Sequence, residues 1–113
     1  MTISVSKQFD NVSDGIQNML AAATHDYNRF CNNENMQQEF ADGWVVKEGQ
    51  KYIKILSKNS CWGFIVNTDN DKKFQKGDVL KSAGYNAPAR NKARGNVLNG
   101  GFSIQWTGPL YLI

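Results

Sequence analysis

The side chains best equipped for acid–base, nucleophilic or metal chemistry in this 113-residue chain are one histidine, two cysteines and a scatter of carboxylates. His25 would need a second ligand or an orienting acid one helical turn away. Positions 21, 22, 28 and 29 are Ala, Ala, Asn and Arg, which supply neither. Cys31 and Cys61 form no CxxC pair, so neither a zinc knuckle nor a dithiol redox site is written here. Two buried, reduced thiols are expected, with a Cys31–Cys61 bond left geometrically open. Asp69-Asn70-Asp71 places oxygen ligands at alternate positions as a calcium loop does. Lys73 and Phe74 follow where further ligands belong, however, and Leu80 stands where a bidentate Glu is required, so a solvated turn is the better account. Asp10 and Asp14 share a helix face near a positive helix end, where acids stabilise without chemistry. Asp78 beside Lys76 has no spacing that recommends it. No GxSxG, HExxH or GxxxxGK[ST] signature occurs. The expectation is a protein with no catalytic residue, no metal and no cofactor: not an enzyme.

The informative stretch runs from Lys81 to Asn96. It holds four cations, no acid, one aromatic and otherwise small or amide residues, so it cannot bury a large apolar face and reads as a long exposed loop. Arg90, Lys92 and Arg94 alternate. In an extended chain they would share one side at about 6 to 7 Å intervals, close to the phosphate repeat of a nucleic-acid strand. Tyr85 offers a stacking surface for a base. Lys81, Tyr85, Arg90, Lys92 and Arg94 are therefore the expected nucleic-acid-binding residues. A solvated loop whose arginines bond backbone carbonyls or pair with the acidic helix fits the same residues.

The elements that must position this stretch follow from patterning. Val12, Ile16, Met19, Leu20, Ala23, Tyr27, Phe30 and Cys31 recur at steps of three or four, an amphipathic helix with Asn11 or Ser13 as its cap. The run Asn32-Asn33-Glu34-Asn35 interrupts it, and a short helix through Met36–Phe40 ends at Gly43. Then the period changes to two. Trp44–Lys47, Tyr52–Leu56 and Cys61–Val66 read as a three-stranded meander, and Val79-Leu80 follows a polar loop. Asn96–Leu98 and Phe102–Trp106 flank Asn99-Gly100-Gly101, a hairpin signal. Leu110–Ile113 reads as a last edge strand. The fold class is α+β: an N-terminal helix on a curled antiparallel sheet of about five strands, open or closed toward a small SH3-like barrel.

Charge divides at the same boundary. Residues 1–43 carry −4 and residues 44–113 carry +7 of the net +3, so a single domain joins an acidic helical segment to a basic β-rich one. No apolar run approaches the length of a membrane span, and the N-terminus has no secretory h-region, so a cytosolic chain with no membrane contact is expected.

In Lys76–Lys81, Ala87–Asn96 and Trp106–Leu110 the chain resembles a group of small uncharacterised proteins of tailed bacteriophages. The resemblance spans residues 44–113 and implies a phage-encoded protein acting in the host bacterial cytoplasm. It supplies no catalytic residues. Two functions compete: a non-enzymatic accessory protein that binds nucleic acid through the basic loop, and a protein-binding module that inhibits a host enzyme or defence complex. Edge pairing of Leu110, Tyr111, Leu112 and Ile113 would make a homo-oligomer.

Overall fold

A computed structural model describes residues 2–110. The chain opens with a short strand, β1 (Ile3–Val5), then enters α1 (Val12–Phe30). Asn11 caps α1 as expected: its side chain accepts from the Asp14 amide at 2.9 Å, and Asp14 lies at the positive end of the helix dipole. Ile16, Met19, Leu20 and Ala23 form the buried face. Gly15 belongs to that face because α1 crosses the Val97 backbone there; a Cβ at position 15 would collide with the Val97 carbonyl. A second helix, α2 (Glu34–Asp42), is capped by Asn33, and Gly43 ends it.

The meander appears where the alternation places it, as β2 (Trp44–Glu48), β3 (Tyr52–Ser57) and β4 (Ser60–Val66). Ile53 and Ile55 point toward α1, while Tyr52 and Lys54 point to the opposite side of the sheet. After a polar segment, β5 (Asp78–Leu80) pairs antiparallel with β4. β6 (Ser82–Gly84) and β7 (Ala87–Pro88) make a small separate hairpin, and β8 (Gly95–Asn96) pairs with β5. β9 (Phe102–Gln105) and β10 (Gly108–Pro109) complete the order.

Three sheets result: β2-β3-β4-β5-β8, β1-β9-β10 and β6-β7. Two expectations need correction. The sheets do not close into a barrel: the five-stranded sheet runs from β2 to a two-residue β8, and the chain then leaves it for the second sheet. Asn99-Gly100-Gly101 does reverse the chain, with both glycines at positive φ, yet the flanking segments do not pair with each other. The Asn96 side chain accepts from the Leu98 and Asn99 amides and turns the chain early, and Phe102–Gln105 finds its partner in β1. The proposed edge strand at Leu110–Ile113 falls mostly outside the described residues; only Leu110 is inside them, and it is not in a strand.

The main core lies between α1 and the inner face of the large sheet, built from Ile16, Met19, Leu20, Ile53, Ile55, Trp62, Ile65 and Val79. A smaller core of Phe64, Val66, Phe74 and Leu80 lies on the outer face, with Tyr52 and Ala93 at its margin. The sheet is thus covered on both sides, by a helix on one and by loops on the other. The buried Asp26 ties α1 to the second sheet: one carboxylate oxygen accepts from the Trp106 amide at 2.9 Å and the other from Arg29 at 2.6 Å.

Candidate nucleic-acid interface

The outer face of the five-stranded sheet brings the predicted residues together, but it does not leave them as a free loop. Residues 81–96 include the β6-β7 hairpin, closed by the Ala89 amide donating to the Lys81 carbonyl, and the chain beyond it returns beside β5 through the Arg94 amide and the Val79 carbonyl. Ala93 reaches the outer core. The long exposed loop of the sequence reading is therefore a second cover for the sheet. Residues 83–87 at the hairpin tip stay exposed, with open space beside Gly84, while the segment from Pro88 to Arg90 and Ala93 to Gly95 is partly buried.

Three of its four cations are bonded to the protein. Arg90 makes a two-pronged ion pair with Asp71, at 2.9 and 3.0 Å, and also donates to the Tyr52 hydroxyl. Its guanidinium lies 4.9 Å from the Phe74 ring centroid. The Asp71 side chain is 1% exposed and accepts from the Lys73 and Phe74 amides as well. These partners, Arg90 foremost, hold its carboxyl far below the ordinary carboxylate range, while Asp71 and Tyr52 raise Arg90 in turn. Asp71 is thus committed to an arginine and two amides, which explains why Asp69-Asn70-Asp71 is a turn. Arg94 donates to the Asn91 side chain and the Lys92 carbonyl, and its Nε is buried without a hydrogen-bond partner among the described residues. Lys81 donates to the Pro109 carbonyl at 2.9 Å; burial, and secondarily the Arg94 charge, lower its pKa. Lys92 is exposed.

Tyr85 is 51% exposed at the tip of the β6-β7 turn. Lys54 of β3 sits 3.6 Å from its ring centroid and donates to the neighbouring Asn86 side chain at 2.8 Å. Lys54 and Tyr52 share the outer face of β3 two residues apart, which is about 7 Å along a strand. Arg90 at Tyr52 and Tyr85 at Lys54 therefore stand in line. Beyond Tyr52 the line opens into a polar cleft of about 510 Å³ lined by Lys51, Thr68, Asn70, Asp71, Lys72 and Arg90, with Gln50 at its rim. Its three cations face one carboxylate, which Arg90 already pairs.

Lys51, Lys54 and Lys72 were missed in the sequence because they are scattered over the meander and the polar loop. The β2-β3 turn brings Lys51 to one cleft with Lys72 of the loop after β4, and Lys54 stands on the outer face of β3. Comparison with known proteins finds no matching family model, no similar characterised protein and no similar solved structure.

The residues considered for catalysis are dispersed. His25 is exposed on α1, Cys31 and Cys61 are separate free thiols, and Asp78 is occupied by the Gln75 amide and the Asn96 side chain. Among the described residues, no cluster of His, Cys, Asp or Glu could hold a metal, and no helix is long and apolar enough to cross a membrane.

Proposed function

We propose that the protein is a non-enzymatic, phage-encoded accessory module of the host cytoplasm that binds single-stranded nucleic acid across the outer face of its large sheet. The observation that carries this reading is the line formed by the Lys51/Lys72/Arg90 cleft, Lys54 and the half-exposed Tyr85. Phosphates would sit in the cleft against Lys51 and Lys72, and a base would stack on Tyr85. Lys92 is a further exposed cation of the cover. Arg90 contributes mainly by neutralising Asp71 and holding the cleft wall, Lys81 by tying the cover to β10, and Arg94 by bracing the cover on itself. The test is binding of a short single-stranded oligonucleotide against salt. Affinity should fall with salt, and Lys51→Ala/Lys72→Ala should lower both the affinity and the salt slope. An affinity independent of salt would end the proposal.

A second reading, a protein-binding module acting on a host enzyme or defence complex, is favoured by the opposite end of the molecule. Phe30 is 66% exposed, 5.1 Å from the Trp106 ring, and Met36 of α2 is exposed as well. Aromatic and Met side chains exposed beside acidic α2 suit a protein partner better than a polyanion. Phe30→Ser separates the two readings: it should leave oligonucleotide affinity unchanged under the first and abolish partner capture under the second.

A further inference from the structure

β2 is an outer strand of the five-stranded sheet: it contains no proline, no bulge breaks its pairing with β3, Val45 and Val46 are 41% and 38% exposed, and its two charges, Lys47 and Glu48, are of opposite sign. Its hydrogen-bonding parity follows from its two ends. The Gly49 amide donates to the Tyr52 carbonyl, and the Lys58 amide donates to the Gly43 carbonyl. Bonded pairs alternate along an antiparallel ladder, so residues 43, 45, 47 and 49 face β3, and the amides and carbonyls of Trp44, Val46 and Glu48 face outward. No described segment pairs with them.

That parity allows one fully overlapping way for the strand to pair with itself. We infer that the β2 edge is the two-fold interface of a homodimer, with Val46 opposite Val46 of the second copy at the symmetry axis. In this register Trp44 faces Glu48, Val45 faces Lys47, and all five strand residues are paired, with no like charges directly opposite. Three bonded positions on each copy exchange both their hydrogen bonds. A shift by two residues would leave part of the strand unpaired and is the weaker alternative.

The surroundings suit a second copy. The two-fold axis is perpendicular to the sheet, so both α1 helices lie on the same face of one continuous ten-stranded sheet. Each copy brings a groove of about 300 Å³ beside Val46, in which α1 presents Gln17, Ala21 and Thr24. The helix surface bordering the joint is therefore uncharged, although α1 carries acids elsewhere. This interface lies apart from the outer-face cleft and does not depend on nucleic-acid binding.

Light scattering over a dilution series of the full chain should give twice 12.7 kDa at the concentrated end and fall toward one copy on dilution. Val46→Pro removes an outward amide without breaking a bond to β3, so it should keep the native circular dichroism and give the single-copy mass throughout. In a Cys31→Ser/Cys61→Ser background, Val46→Cys should oxidise to a covalent dimer, because residues directly opposite in a bonded pair lie within disulfide reach. Val45→Cys, which faces Lys47 instead of itself, should stay largely monomeric. A single-copy mass for the wild type at every concentration would overturn the inference. So would equal cross-linking by Val45→Cys and Val46→Cys.

Discussion

Arg90 shows how far a residue's role can depend on partners distant in the chain. Its alternation with Lys92 and Arg94 suggests a contact surface, but Asp71 and Tyr52, 19 and 38 positions away, turn it inward. No local pattern could announce that pairing, whereas the Asn11 cap and the apolar face of α1 were legible because their partners lie within a turn. The pair makes a pH prediction. The Asp71 pKa is lowered in the fold, so its contribution to stability is fully present above the ordinary carboxylate value and is lost as pH falls through the folded value. The melting temperatures of wild type and Asp71→Asn should therefore differ most near neutrality and converge as pH drops below about 4. Asp26 is a second buried carboxylate with fixed partners, the Trp106 amide and Arg29. Asp26→Ala leaves the Trp106 amide unpaired and Arg29 with the Thr2 carbonyl alone, and should cost about 2 to 3 kcal/mol in urea unfolding, while a loss under about 0.5 kcal/mol would show that the tie is unimportant.

At the scale of elements, the helices and the meander were readable because each buries one face at its own period. β1 was not: three residues, Ile3–Val5, are too few to show a period, and only β9 makes them a strand. The same absent partner explains why the Asn-Gly-Gly reversal looked like a simple hairpin. The packing of α1 on the sheet depends on Gly15. Gly15→Ala improves helix propensity by about 1 kcal/mol, yet the new methyl collides with the Val97 carbonyl, so the net effect should be destabilising by about 1 to 2 kcal/mol. Chemical denaturation decides the sign. The β2 edge makes an element-scale prediction of its own. Amide exchange at Val46 and Glu48 should slow as protein concentration rises, whereas Val45 and Lys47, bonded to β3, should be protected at all concentrations.

For the whole molecule, the charge division of the sequence becomes a division between layers. The acidic residues 1–43 supply the two helices, and the basic remainder supplies the sheet and its outer cover. The positive sign of that face was legible, but its working residues were not, because the meander contributes Lys51 and Lys54 and the polar loop contributes Lys72. The basic stretch is accordingly two things at once: a cover held by Lys81 and Arg90 and braced from within by Arg94, and a mount for Tyr85. The measurement that separates these roles most directly is the affinity of a short single-stranded oligonucleotide for three variants at one low salt concentration. Lys51→Ala/Lys72→Ala and Tyr85→Ala should each weaken binding about tenfold, and Arg94→Ala should leave affinity within about twofold while lowering the melting temperature. Loss of binding on Arg94→Ala with full binding by Lys51→Ala/Lys72→Ala would contradict this account.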